Sequence, residues 1–267
     1  MDVYWLEQTE ADVPAGEQWL SAGEMLCLRG LRFAKRRTDW RLGRWTAKRA
    51  LAACLNVPSD ICDLANIEVR ATPSGAPEVL LFDLSADVTI SLSHRAGAAI
   101  CAVARSKTSL GCDLEAIEPR SSAFVADYFT VKERALVART SVAKQTLLVT
   151  LCWSAKESAL KALRAGLRLD TNCMDVSLVD DALEAPSEEG WQDSFSTSLP
   201  ATATAGWRPL RVRYADAQVF HGWWLHSNRL VRTVVSALPL REPIKPVCFS
   251  SGVDLPSRSG CGFAADG

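Results

Sequence analysis

The sequence predicts an α+β protein of two similar halves that meet near residue 110. Three observations point to it. Helical segments followed by short strands occur twice along the chain. The 267 residues, 48% of them hydrophobic, suffice to bury a large core. The longest apolar stretches, Ala98 to Ala104 and Leu147 to Trp153, fall far short of the roughly 20 residues that span a bilayer. No clear internal sequence repeat accompanies the division.

Taken in order, an opening strand and loop precede a helix over Glu17 to Leu31 and a second over Asp39 to Leu55, which Asn56 and Pro58 stop. Short strands follow at Ile67 to Arg70 and Pro77 to Phe82, separated by the turn-forming Pro73-Ser74-Gly75. Two more, Val88 to Ser93 and Ala98 to Ala104, flank His94, and another runs from Leu110 to Glu115. Helical spacing returns over Ser121 to Ala138 and Lys144 to Ala165, with Gly166 as the stop. Two alternating stretches, Ala217 to Leu225 and Leu230 to Leu238, are joined by His226 to Arg229 and read as a hairpin. From Arg241 the chain is rich in Pro, Gly and Ser and is expected to be a flexible tail. The expected division is therefore 1–110, 111–240 and 241–267.

A net charge of −1 argues against a protein built wholly around a polyanion, yet Arg29 to Arg49 holds nine Lys or Arg against one Asp. Nine cysteines without CxxC spacing, and only three histidines, suggest neither a zinc site nor a disulfide framework. Most of the cysteines are expected to be small core residues in a reducing compartment. The acidic N-terminus lacks a basic lead and an apolar signal core, so a cytoplasmic protein is expected.

Three constellations carry chemistry. Asp113 and Glu115 lie two apart on a strand, so both carboxylates leave one face and invite a hard cation such as Mg²⁺. Trp153, Glu157 and Lys161 stand four apart on a helix and share one side. His94 ends a strand and is followed by Arg95 and Gly97, where an imidazole and free amides suit a phosphate oxygen. Alone, each also describes an ordinary protein: a solvated acidic strand face, an amphipathic helix, a structural histidine. The basic stretch alone reads equally as a nucleic-acid-binding helix or a solvated face.

In this order the segments resemble the Sfp-type 4′-phosphopantetheinyl transferases. The matching pieces are Arg32 with the basic cluster and LGRWTAKRAL, RATPSGAP (70–77), SLSHRAG (91–97), GCDLE (111–115), YFTVKE (128–133) and WSAKESALKALRAGL (153–167). The likeness covers roughly residues 30 to 170. It implies a pseudo-dimer of two α+β halves with the active site between them, the first binding the nucleotide of coenzyme A and the second holding Mg²⁺. It also implies a Mg²⁺-dependent transfer of the phosphopantetheine arm of coenzyme A to a serine of an acyl, peptidyl or aryl carrier protein, with adenosine 3′,5′-bisphosphate released. Such carriers serve fatty-acid, polyketide or nonribosomal peptide synthesis.

By resemblance, Asp113, Glu115 and Glu157 are the metal carboxylates. Glu157, Lys161 and His94 are the catalytic residues, Glu157 taking the serine proton directly or through a metal-bound water. Lys161 and His94 grip the pyrophosphate, with Lys156 assisting. Arg32, Arg36, Arg37 and Arg70 serve the nucleotide's phosphates, with Arg44 a nearby candidate; Gly75 and Pro77 form the turn beside adenine, and Ser93 joins the phosphate pocket. The sequence departs from many relatives in having Ala76 in place of a lysine, and Arg95 is expected to supply charge from another direction. A monomer is expected, because one chain carries both halves, with neither nucleic acid nor membrane as partner. The competing reading is a noncatalytic coenzyme A or nucleic-acid binding module using Arg29 to Arg49.

Overall fold

The computed structural model describes residues 1–58, 60–165, 169–178, 206–215, 218–239 and 245–246. Twelve strands and five α-helices are arranged among them. The first half comprises β1 (Val3–Thr9), α1 (Ala22–Gly30), α2 (Ala34–Leu55), β2 (Ile67–Ala71), β3 (Pro77–Leu81), β4 (Leu84–Ser85), β5 (Thr89–Arg95) and β6 (Ala98–Ala104). The second comprises β7 (Leu110–Ala116), α3 (Ser122–Tyr128), α4 (Val131–Arg139), α5 (Val142–Ala162), β8 (Met174–Leu178), β9 (Arg208–Tyr214), β10 (Gln218–Ser227) and β11 (Leu230–Ser236), followed by β12 (Lys245–Pro246).

The strands form sheets in the orders β12-β1-β6-β5, β7-β11-β10-β9-β8 and β2-β3-β4. Helix α2 lies on β1 and β6, and α5 lies on β7 and β11. Strand β6 explains the layering. Cys101 and Val103 join the core beneath α2, whereas Ile100 and Ala102 point the other way, into a cluster with Cys112 and Leu114 of β7 and Val234 of β11. Both faces of β6 are therefore buried, which its unbroken apolar run AAICAVA requires. Glu7 of β1 and Arg232 of β11 close the same seam with a bidentate ion pair at 2.5 and 2.6 Å.

One device recurs in the two halves. Glu24, the third residue of α1, caps that helix by accepting from Ser21 N–H at 3.0 Å, accepts from Val69 N–H at 3.1 Å and pairs with the buried Lys48. Glu133, in the same position of α4, accepts from Thr130 N–H at 2.9 Å, from Val176 N–H at 2.9 Å and pairs with the buried Lys156 at 2.7 Å. Each lysine also donates to two carbonyls: Lys48 to Trp19 and Leu64, Lys156 to Tyr128 and Thr171. The two lysines end the short strings WTAK (45–48) and WSAK (153–156), a repeat too brief to stand out until the structure superposes its roles.

Several expectations shift. Helix α2 starts at Ala34, so Lys35, Arg36 and Arg37 are helical. The single helix expected over 121–138 is two, because Thr130 caps α4 while the fully buried Phe129 keeps an extended backbone. Strands β8 and β9 were not expected. Helix α5 ends at Ala162, and the expected stop, Gly166, lies outside the described residues. Within the expected tail, Lys245 and Pro246 pair in parallel with Tyr4 and Trp5; the remainder lies outside the described residues. Four of the described cysteines (54, 101, 112, 152) are buried, and Cys27, Cys62 and Cys173 are exposed. Among the described residues no helix is long and apolar enough to cross a membrane.

Candidate active site

Strands β5 and β7 run side by side where the two large sheets meet, held by side chains rather than by a backbone ladder. Ser91 Oγ accepts from Cys112 N–H at 2.9 Å, and Ser93 Oγ donates to Asp113 Oδ1 at 2.8 Å. Helix α5 presses on β7 so closely that a Cβ at Gly111 would sit 1.8 Å from the Ser158 carbonyl oxygen, so only glycine fits there. Thr233 of β11 fixes the helix from behind, its hydroxyl lying 2.9 Å from Ser154 Oγ and 2.7 Å from Ser158 Oγ.

This packing turns one side of α5 toward β7. Lys161 Nζ donates to Asp113 Oδ1 at 2.8 Å and to the Cys112 carbonyl at 3.0 Å, and Trp153 Nε1 donates to Glu115 Oε1 at 3.3 Å. Trp153 also packs edge-on against Phe124 and Tyr128, which anchors the middle of α5 to α3. Glu157 lies between these contacts, half-buried. The expected alternation of Asp113 with Glu115 and the four-residue spacing of Trp153, Glu157 and Lys161 thus meet face to face.

The electrostatics follow. Burial, and then Asp113, raise the carboxyl pKa of Glu157, against the pull of Lys161. Burial and Asp113 likewise raise that of Glu115, opposed by Arg120 and Arg95. Burial alone would lower the Lys161 ammonium, but Asp113, Cys112 and Glu157 together outweigh it and the net shift is upward. Asp113 Oδ2 is buried with no hydrogen-bond partner. An unpartnered carboxylate oxygen beside two acids that resist ionisation is a donor set suited to a hard divalent cation. Yet no group of three or more His, Cys, Asp or Glu among the described residues is gathered closely enough to hold a metal as it stands. Glu115 is instead engaged by Arg120 at 3.3 Å and Arg95 at 3.7 Å.

Beside this cluster opens a cavity of about 450 Å³, lined by Arg44, Arg70, Gly75, Pro77, Ser91, Lys161 and Arg164 among others. Gly75, at φ +86°, turns the β2–β3 loop, whose Thr72 N–H donates to the Ala76 carbonyl at 2.8 Å. The structure therefore brings Arg70, Gly75, Pro77 and Lys161 together, with Ser93, His94 and the acids on the adjoining strands.

Other expected residues fall elsewhere. Arg32 and Arg36 are exposed and do not line the cavity, and Arg37 donates to the Leu28 carbonyl at 3.1 Å. Arg95 pairs with Glu118 at 3.1 Å rather than reaching the cavity. Lys156 is a correction: its ammonium is wholly buried on the far side of α5 and committed to Glu133, Tyr128 and Thr171, so it cannot grip a substrate phosphate. Sequence reasoning missed Ser91, Thr233 and Arg164; the first two are short polar residues on apolar strands, without a spacing signal.

Residues 109–206 match the 4′-phosphopantetheinyl transferase superfamily, and this segment carries Asp113, Glu115, Glu157 and Lys161. Among solved structures, a holo-(acyl-carrier-protein) synthase from Bacillus anthracis str. Ames in complex with CoA (3′,5′-ADP) is similar at 23% identity, with a TM-score of 0.33, over 38% of this chain and 92% of that one. No curated protein matches the chain. The matched segment supplies β7, α5 and the acids and lysine that face each other between them, so residues 109–206 are similar to the 4′-phosphopantetheinyl transferase superfamily in the part of the chain that builds this site.

Proposed function

We propose that this chain is an Sfp-type enzyme that transfers the phosphopantetheine arm of coenzyme A to a serine of an acyl, peptidyl or aryl carrier protein, releasing adenosine 3′,5′-bisphosphate. The observation that carries the reading is the Ser93–Asp113–Lys161 network at the seam, opening onto a cavity with arginines at its wall. The paired Glu–Lys devices support two related halves, 1–110 and 111–240, acting as one pseudo-dimeric unit. The proposed state is a cytoplasmic monomer that acts on neither nucleic acid nor membrane.

In this reading Arg70 offers charge to the nucleotide's phosphates, Gly75 and Pro77 shape the wall beside the base, and Ser93 and His94 flank the pyrophosphate from β5. Lys161, held by Asp113, presents its ammonium where negative charge grows as the bond to the leaving phosphate breaks. Glu157 accepts the proton of the carrier serine, and its raised affinity for protons suits a base. Asp113, Glu115 and Glu157 would hold Mg²⁺, which when bound offsets charge on the pyrophosphate oxygens. To release Glu115 for this, Arg95 and Arg120 must yield.

Intact-mass spectrometry of apo carrier proteins incubated with this protein, coenzyme A and Mg²⁺ tests the reading. The expected result is a gain of one phosphopantetheine arm that disappears with EDTA. No gain on carriers of all three classes, despite binding of coenzyme A, would indicate a noncatalytic binder. Asp113→Ala and Glu157→Ala are each expected to abolish the gain while remaining folded.

A further inference from the structure

The end of α5 is built with an unexpected residue. The Ala165 N–H donates to the Leu160 carbonyl at 3.2 Å and the Arg164 N–H to the Lys161 carbonyl at 3.0 Å, the bonding pattern of a helix closed by a left-handed residue. That residue is Arg164, at φ +55°. Glycine meets this backbone with least strain, and the side chain of Arg164 is exposed, so packing does not account for an arginine. Arg164 lines the cavity that also contains Arg44, Arg70 and Lys161.

These four cations differ in what already neutralises them. Lys161 pairs with Asp113 at 2.8 Å and Arg70 with Glu78 at 2.9 Å. Arg44 lies 3.8 Å from Glu24 and covers the Trp40 ring at 4.9 Å. The guanidinium of Arg164 makes no hydrogen bond or ion pair with any described residue, so among the described residues nothing offsets its positive charge at the cavity wall. A planar guanidinium at a cavity mouth suits bidentate recognition of a phosphate.

We propose that Arg164 binds a phosphate of the nucleotide in this cavity, its charge being placed there at the expense of an easier helix end. The proposal rests on the reading that the cavity takes the nucleotide end of coenzyme A, and it adds a residue that fixes affinity for the phosphorylated form.

The test is calorimetric binding of adenosine 3′,5′-bisphosphate to the full chain and to R164G. Glycine suits the left-handed position, so the variant should melt at or above the wild-type temperature. Its dissociation constant should rise about tenfold, as expected for one lost charge-assisted contact, and the gap should narrow in high salt. Adenosine, without phosphates, should bind the two proteins alike. A folded R164G that binds the bisphosphate within twofold of wild type would overturn the proposal, as would an equal weakening toward adenosine. Absence of binding by the wild-type chain would overturn the nucleotide reading itself and this inference with it.

Discussion

Ser93 Oγ donates to Asp113 Oδ1 at 2.8 Å, a hydrogen bond that crosses from the edge strand of one large sheet to the edge strand of the other. It fixes the carboxylate that Lys161 also holds, at the seam between β5 and β7. Removing a neutral donor from a buried carboxylate typically costs about 1.5–3 kcal/mol. Ser93→Ala is therefore expected to lower kcat/KM for coenzyme A by roughly ten- to a hundredfold. Kinetics on folded protein check this, and an unchanged value would remove Ser93 from the site.

Lys156 is expected to act through stability and not through substrate. Lys156→Met leaves Glu133 buried without its counter-ion, which typically costs about 3–5 kcal/mol. Urea unfolding should show this loss, whereas the double variant Lys156→Met with Glu133→Leu should recover part of it. The fraction that stays folded should keep its KM for coenzyme A. A raised KM with normal stability would restore Lys156 as a phosphate contact.

The acids at the seam set a pH dependence. Burial, and then Asp113, raise the carboxyl pKa of Glu157 above 4.5 in the folded chain. A raised carboxyl pKa means that the folded state holds the proton longer than the unfolded state. Its stabilising contribution is full below the unfolded value and is lost as pH rises through the folded one. Without metal, Glu157→Gln should therefore gain stability relative to wild type as pH rises through that window. Urea midpoints of the two proteins across it provide the measurement; a constant difference would mean that Glu157 ionises normally.

Thiol reactivity should separate the cysteines by environment. Burial pushes the Cys112 thiol up to about 11 and raises Cys101 and Cys152 as well. Iodoacetamide at about pH 8 is expected to label Cys27, Cys62 and Cys173 and to spare these three until the chain unfolds. Peptide mapping of the native protein provides the check, and labelling of native Cys112 would show that the seam opens.

The sequence by itself determined the local geometry of the candidate site. Period-two alternation sends Asp113 and Glu115 from one face of β7, and helical spacing lines up Trp153, Glu157 and Lys161, because both periods are properties of the backbone. The turn at Gly75 and the strands around His94 were legible for the same reason. Spacing does not say what a face meets. Lys156 and Glu157 are adjacent in the chain, yet about 100° around the helix separates a lysine buried against Glu133 from an acid facing β7. Only the packing of α5 over Gly111 and Thr233 decided which of them belongs to the site. Arg164 was illegible for a related reason: its place at the cavity depends on where α5 ends, and that is set by a left-handed turn which the nearby Gly166 obscured. The break at Phe129 likewise depends on a ring that finds its burial only when α3, α4 and α5 come together.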